Sequence, residues 1–159
     1  MNERTAALIV AAGASTRFGG PLPKVFAPLA GAPLVVWSLR AYARHPEVEC
    51  LCLVVASQYL DQARALCERE VDCACVVAAG GPQRRQSVRN GLLALEAFAP
   101  DLVAIHDGAR PLVTEAIITD SLRRGRECGA ALAAVPASDT VKQVELDARV
   151  CARFIGTPG

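Results

Sequence analysis

Two cations on a glycine-rich loop are the residues in this sequence best suited to chemistry on phosphate. The loop follows an apolar run near the N-terminus, and Arg17 and Lys24 lie on it, on either side of Gly19-Gly20. Small residues at positions 11–13 allow a ligand to lie directly on the backbone, and the N–H groups of such a turn form a concavity for anions. Arginine offers phosphate a planar set of donors and lysine offers a compact charge, which suits a triphosphate. A surface turn with two solvated cations explains this loop equally well.

Further polar groups follow later apolar runs. Gly80-Gly81 leads into arginines at positions 84, 85 and 89, His106-Asp107 ends another run, and Ser138-Asp139-Thr140 follows a third. Arginines at the start of a predicted helix oppose its dipole, which indicates that an anion belongs there, although a solvated helix start is the alternative. Asp107 is equally well explained as a turn residue. His106 is better explained as a hydrogen-bonded residue at a strand end than as a catalyst.

The first loop matches neither of two common nucleotide-binding signatures. It contains no G-x-G-x-x-G, because Gly13 is followed by Ala14 and Ser15, and it contains no G-x-x-x-x-G-K-[ST]. The sequence therefore disfavours a dinucleotide-binding module of the dehydrogenase type and a Walker-type NTPase.

Regular secondary structure must position these loops. The chain alternates apolar runs, which predict strands, with amphipathic runs, which predict helices. Strands are predicted in TAALIVAAG, CLCLVVA, CACVVAAGG, LVAIHDGARP and AALAAVPA, and helices in PLVVWSLRAYAR, YLDQARALCERE, QSVRNGLLALEAF and TEAIITDSLRRGREC. Pro33 should occupy the first position of the first helix, Thr114 should cap the fourth, and Val88, Leu92 and Leu95 should form the buried face of the third. Such units form a mostly parallel sheet in a three-layer α/β/α, Rossmann-like domain, which binds ligands at the carboxyl ends of its strands.

Composition limits the function classes. The 159 residues, 52% of them apolar, suit a single domain spanning residues 1–159, in which VKQVEL and RVCARFI form a hairpin. A net charge of +1 leaves no electrostatic footprint for nucleic acid or an anionic membrane surface. Seven scattered cysteines favour free thiols in the cytoplasm. A zinc site built from the pairs Cys50/Cys52 and Cys73/Cys75 is less well supported than apolar positions on a sheet.

Four motifs in order carry a family resemblance. They are A-A-G-x-S-x-R-F-G-G-x-x-P-K from Ala11, G-G-P-Q-R-R-Q-S-V-R-N-G-L from Gly80, H-D-G-A-R-P from His106 and D-T-V-K from Asp139. Together they resemble the 2-C-methyl-D-erythritol 4-phosphate cytidylyltransferase family of sugar-nucleotide-type nucleotidyltransferases, over residues 6–142. The resemblance implies transfer of CMP from CTP to methylerythritol phosphate with Mg²⁺ and release of pyrophosphate, in the non-mevalonate pathway to isoprenoid precursors.

The resemblance also implies roles for single residues. Arg17 and Lys24 match two catalytic cations that stabilise the transition state on the triphosphate. Asp107 matches the acidic residue beside the nucleotide phosphates and the metal, and Arg110 and Thr140 match positions near the second substrate. The other matching nucleotide-binding positions are Ala11, Ala12, Gly13, Gly81, Arg84 and Ser87.

The chain departs from the family pattern in the glycine loop, after the loop lysine and towards the C-terminus. Pro82 has no N–H to offer a base edge, and Val25 stands where the family frequently has glutamine. Residues 140–155 correspond to the start of the family's hairpin arm, and later family segments have no counterpart in VCARFIGTPG. We therefore expect a sheet that is incomplete in its C-terminal part, with an exposed edge.

The expected partners are CTP and a sugar-alcohol phosphate, with neither nucleic acid nor membrane. The family forms a homodimer through the arm, and the sequence does not establish that dimer for this chain. Two alternatives stay open: a related nucleotidyltransferase with another phosphorylated acceptor, and a CTP-binding fragment without turnover.

Overall fold

The computed structural model describes residues 3–13 and 22–136, together with the backbone of residues 143–146 and 152–156. Strand β1 spans Thr5–Val10. Beyond the first loop come a short 3-10 helix at Lys24–Phe26, the two-residue strands β2 (Pro28–Leu29) and β3 (Ala32–Pro33), and helix α1 (Leu34–Ala43). Strands β2 and β3 pair with each other in antiparallel fashion.

The rest of the chain repeats strand and helix in the predicted order. Strand β4 (Cys50–Val55) precedes helix α2 (Leu60–Glu70), strand β5 (Ala74–Ala79) precedes helix α3 (Arg84–Leu95), and strand β6 (Leu102–Asp107) precedes helix α4 (Glu115–Cys128). Two further strands, β7 (Gln143–Leu146) and β8 (Ala152–Gly156), pair in antiparallel fashion, which confirms the predicted hairpin.

The central sheet has the strand order β5-β4-β1-β6, and all three neighbouring pairs are parallel. In register, Val10 at the end of β1 lies opposite Val54 and Asp107. The carboxyl ends of the strands therefore meet at one edge, where the loops singled out by the sequence begin.

Two apolar clusters cover the two faces of this sheet. Helices α1, α2 and α4 pack on one face, where Ile9, Leu51 and Leu53 are fully buried. Helix α3 covers the other face, where Leu95 packs with Leu8 and with a group of neighbours that includes Cys50 and Cys52. Cys73 and Cys75 pack against the first cluster, so the two cysteine pairs lie in different apolar layers. The predicted three-layer α/β/α architecture is confirmed.

Within the part of the chain that the structure describes, no helix is long and apolar enough to cross a membrane.

Helix α4 begins as the sequence predicts. The side chain of Thr114 accepts a hydrogen bond from the amide of Ile117, which satisfies one of the unpaired N–H groups of the first turn. Gly129 follows the helix with a φ of 78°, in the left-handed region that glycine adopts most readily.

Three details of the secondary-structure prediction are wrong. Pro33 is the residue before α1, with an extended ψ of 141°, because it is held in strand β3. Helix α3 begins at Arg84 and not at Gln86. Leu92 is 39% exposed, because α3 meets the sheet through Ser87, Gly91 and Leu95, and Leu92 falls beside that contact face.

The segment AALAAVPA is the larger correction. Residues 130–136 adopt no regular secondary structure, and the side chains of Leu132 and Val135 are 89% and 87% exposed. A strand is stabilised by the ladder it shares with a neighbour. No described strand pairs with this segment or with the outer edge of β6, so its apolar composition alone does not produce a strand.

Candidate functional site

The loops after β1 and β5 touch at the carboxyl edge of the sheet. A methyl group placed on Gly80 would lie 2.2 Å from the Cβ of Ala12 and 3.0 Å from the hydroxyl oxygen of Ser87. The amides of Ala11 and Gly80 extend the strand ladders, donating to Val54 O and Val55 O at 2.7 Å each. The small residues in both loops thus allow two backbones and the start of α3 to meet in one place.

Ser87 fixes the glycine loop to the first turn of α3. Its hydroxyl oxygen accepts a hydrogen bond from the Gly81 amide at 3.1 Å and lies 3.3 Å from the carbonyl oxygens of both Gly81 and Gln83. The Gln83 amide donates to the side-chain oxygen of Gln86 at 3.0 Å, which satisfies a further group at the helix start. Because the serine is 2% exposed, this connection is a fixed part of the fold.

Asp107 joins this loop to the end of β6. Its Oδ1 accepts from Nη2 of Arg84 at 2.9 Å, and its Oδ2 lies 3.2 Å from Nε of Arg110. Partial burial on its own raises the pKa of the Asp107 carboxyl, but the hydrogen bond and charge of Arg84 and the charge of Arg110 outweigh it and hold that pKa below its ordinary value. The edge therefore carries an ionised carboxylate between two guanidinium groups that remain largely exposed.

His106 has a structural environment. The residue is 9% exposed, and its ring lies 5.2 Å from the ring of Tyr42. Its Nε2 lies 3.0 Å from the carbonyl oxygen of Arg110. Burial lowers the pKa of His106, and the bond to Arg110 only partly offsets this effect. These contacts confirm the prediction of a hydrogen-bonded residue at a strand end.

Lys24 is exposed at the start of its 3-10 helix. The next two residues, Val25 and Phe26, are buried, and the Phe26 ring lies 5.3 Å from that of Tyr59. The Ala27 carbonyl accepts a hydrogen bond from the first amide of α1, so the lysine is carried on a well-anchored segment.

The nucleotide-binding positions predicted from the sequence all lie at the carboxyl edge of the sheet. They lie on the loops after β1 and β5, at the end of β6 or at the start of α3: Ala11, Ala12, Gly13, Gly81, Arg84, Ser87 and Asp107. Arg110 joins this group through its contact with Asp107. Arg17 and Thr140 lie outside the described residues. The predicted pairing of Arg17 with Lys24 on a triphosphate therefore stays a prediction.

Sequence reasoning missed two side chains that support the site, and it named Gly80 only as part of the glycine loop. Ser38 of α1 donates to Arg110 O at 3.3 Å, and Asn90 of α3 donates to Ala79 O at the end of β5 at 2.9 Å. Gly80 is required by its contact with Ala12. No local pattern marks Ser38 or Asn90, whereas the doubled glycine was a visible signal for close backbone approach.

The model of the 2-C-methyl-D-erythritol 4-phosphate cytidylyltransferase family matches residues 5–153, which takes in every described loop of this edge. The chain belongs to that family. A cytidylyltransferase of that name from Dehalococcoides mccartyi is 42% identical over 146 residues, covering 91% of this chain and 63% of the relative. Its counterpart from Syntrophotalea carbinolica is 38% identical over 143 residues, covering 86% of this chain and 60% of the relative.

A solved structure agrees on the fold. The 4-diphosphocytidyl-2C-methyl-D-erythritol synthase from Anaerococcus prevotii superposes with a TM-score of 0.75 at 24% identity, covering 99% of this chain and 64% of that one. This chain thus spans less than two thirds of the length of these family members.

Nucleotidyltransferases such as this family generally use a divalent metal. Among the described residues no group of three or more histidine, cysteine, aspartate or glutamate side chains is placed to hold one. Asp107 offers a single carboxylate at the site, which fits a divalent ion bound mainly through substrate phosphates and water. A hollow of about 390 Å³ lies elsewhere, between α3 and the segment leading into β6, and includes Leu92 and Val103.

Proposed function

We propose that this chain transfers CMP from CTP to 2-C-methyl-D-erythritol 4-phosphate and releases pyrophosphate, with Mg²⁺ as the cofactor. The observation that carries the proposal is the Arg84–Asp107–Arg110 arrangement, in which one carboxylate and two exposed guanidinium groups meet beside a glycine loop. Family membership supplies the identity of the two substrates. Because the chain spans less than two thirds of its relatives' length, the complete reaction is proposed for it and not taken from them.

The nucleotide is proposed to lie across the contact between the loops after β1 and β5. Ala11, Ala12 and Gly13 offer it backbone without bulky side chains, as does Gly81 on the facing loop. Arg84 lies in the first turn of α3. The described residues of that turn include no acidic side chain. The helix N-terminus and the arginine both favour an anion at this point.

The chemistry needs positive charge more than it needs a proton carrier. The attacking group is a phosphate monoester that is already ionised near neutral pH, so no general base is required. Two anionic reactants must meet, and negative charge grows on the departing pyrophosphate, so positioning and electrostatic stabilisation make up most of the mechanism. Arg17 and Lys24 are proposed to stabilise the triphosphate, while Arg110 and Thr140 are proposed to orient the acceptor.

A magnesium ion at Asp107 would add positive charge at the phosphates. The carboxylate is suited to this role because its depressed pKa keeps it ionised at neutral pH. Arg84 and Arg110, which neutralise it in the described structure, are both exposed and so can turn towards incoming phosphate oxygens.

We place the reaction in the cytoplasm. All six described cysteines are free thiols, and three of them are buried in the apolar layers. Free thiols of this kind are typical of a reducing compartment.

Pyrophosphate release measured with each of the four nucleoside triphosphates, with and without methylerythritol phosphate, tests the proposal. We expect release only with CTP and acceptor together. CTP affinity measured in parallel by calorimetry separates loss of binding from loss of turnover. Binding of CTP with no release under any condition would leave a nucleotide-binding unit without the proposed activity. Release from CTP that does not depend on methylerythritol phosphate would contradict the proposed acceptor.

Two arginines provide a matched pair for the same assay. Arg84→Ala removes a guanidinium at the site, whereas Arg64→Ala removes a similarly exposed one that pairs with Asp61 on α2. We expect the first variant to weaken CTP binding by about tenfold, as for the loss of one charge-assisted hydrogen bond. The second variant should bind CTP as the native chain does.

A further inference from the structure

The backbone carbonyl of Arg110 is held by two buried side chains from different elements. The hydroxyl of Ser38 on α1 lies 3.3 Å from this oxygen, and Nε2 of His106 at the end of β6 lies 3.0 Å from it. A carbonyl oxygen only accepts hydrogen bonds, so both partners must donate, and the imidazole carries a hydrogen on Nε2. Ser38 is fully buried and His106 nearly so, which makes both donors rigid.

The rest of the Arg110 backbone is restrained as well. Its amide donates to Asp107 O at 3.0 Å and closes a tight turn, whose second residue, Gly108, donates to Val10 O at 2.9 Å. Pro111 follows and restricts the backbone of Arg110 to extended conformations. All of these restraints act on the main chain of one short turn.

The side chain of Arg110, in contrast, is 76% exposed. Its Nε lies 3.2 Å from Oδ2 of Asp107, the carboxylate at the centre of the site. The turn therefore combines a fixed main chain with an exposed guanidinium. This arrangement lowers the conformational entropy that is lost when the guanidinium binds an anionic group.

The position of His106 follows from the sheet and not from the loop. It lies opposite Ile9 in the ladder between β6 and β1, and its ring packs on that of Tyr42 from α1. Helix α1 thus contributes the hydroxyl of Ser38 and the ring of Tyr42, so the site loop is braced by the packing of α1 against β6.

We propose that His106 and Ser38 are positioning residues that fix the Asp107–Arg110 turn, and through it aim the Arg110 guanidinium at the phosphate of the acceptor. The orientation of the guanidinium towards the acceptor rests on the proposed function, whereas the restraint of the turn by His106 and Ser38 does not. The imidazole is not a general base here, because its Nε2 hydrogen is already donated to a backbone carbonyl and the attacking phosphate needs no base.

A pair of substitutions at one position tests the role of the donor. His106→Gln keeps an N–H group at about the distance of Nε2, and His106→Leu removes it. We expect His106→Leu to raise the KM for methylerythritol phosphate by about tenfold, the effect of one lost hydrogen bond, with the KM for CTP unchanged. His106→Gln should restore most of that loss, and Ser38→Ala should reproduce part of it without altering a charge.

Combining these changes with Arg110→Ala shows whether the effect passes through the arginine. If it does, His106→Leu has no further effect on the acceptor KM once Arg110 is alanine. Additive effects in the double variant, or equal losses for CTP and acceptor in His106→Leu, would overturn the inference.

Amide hydrogen exchange tests the bracing without any turnover. Exchange of the Arg110 amide should accelerate about tenfold in His106→Leu and measurably in Ser38→Ala, while the Ala7 amide in the central strand keeps its protection and reports an intact fold. Unchanged exchange at Arg110 in both variants refutes the inference. If the native chain shows no turnover but exchange in the variants responds as expected, the proposed function is refuted and the bracing of the turn is not.

Discussion

A methyl group at position 80 would separate the two loops that form the nucleotide site. In Gly80→Ala the new Cβ would lie 2.2 Å from the Cβ of Ala12, where two methyl carbons need about 3.5–4.0 Å. The alanine side chain has no rotatable bond that could move its methyl group away. The loops must therefore separate by about 1.5 Å to reach an ordinary contact distance. Overpacking of this kind costs about 1–3 kcal/mol, and displacements near 1 Å lower catalytic rates by up to about a hundredfold.

Calorimetry and thermal unfolding measure the two consequences of Gly80→Ala. If the free loops open to relieve the strain and CTP binding requires them to close again, CTP affinity should fall by about 10- to 100-fold. The Tm should fall by about 2–12 °C, at 2–4 °C for each kcal/mol in a chain of this size.

The contact itself provides the control for this prediction. Ala12→Gly removes the opposing methyl group, so the double variant Gly80→Ala/Ala12→Gly should recover much of both losses, leaving the 3.0 Å approach to Ser87. Gly125→Ala on α4, where the new Cβ would approach Leu102 at 3.3 Å, should leave CTP binding unchanged. Native affinity and Tm in Gly80→Ala, or no recovery in the double variant, would show that the loops do not meet as described.

Three further predictions address other parts of the molecule. Lys24→Ala should lower kcat by about 10²–10³ through loss of a preorganised charge, and near-normal turnover would remove this lysine from the mechanism. Burial raises the pKa of Tyr42 to about 12, so its neutral hydroxyl contributes stability below pH 10 that is lost as the pH rises towards 12. Between pH 8 and pH 11, the free energy of unfolding measured with denaturant should fall by about 1.4 kcal/mol more for the native chain than for Tyr42→Phe. An equal fall in the two proteins would contradict this. Arg126→Ala should lower the free energy of unfolding by about 1 kcal/mol, because Arg126 joins Glu3, Glu47 and Thr5 in one partly buried network. Arg64→Ala, which removes an exposed ion pair, should not lower it. Equal melting curves for the two variants would show that the network contributes nothing.

Local signals predicted the secondary structure well wherever a segment had a partner. Three of these signals depend only on neighbours in sequence: the apolar run before Gly13, the amphipathic run YLDQARALCERE that forms α2, and the cap at Thr114. The same reasoning failed for AALAAVPA, because a strand needs a ladder and residues 130–136 have none among the described strands. It also misplaced Leu92, because the close approach of Gly91 to Leu8 and Val54 determines which side of α3 faces the sheet.

The sequence alone identified the loops that carry the candidate chemistry, because glycines, cations and a carboxylate follow apolar runs in a fixed order. It could not say which of these groups meet, since those distances depend on strand order and register. Only the tertiary structure brings Gly80 against Ala12, surrounds Asp107 with Arg84 and Arg110, and sets Ser38 beneath a turn 72 positions further along the chain. Such contacts arise because parallel strands end at a common edge, so residues far apart in sequence become neighbours once the sheet forms.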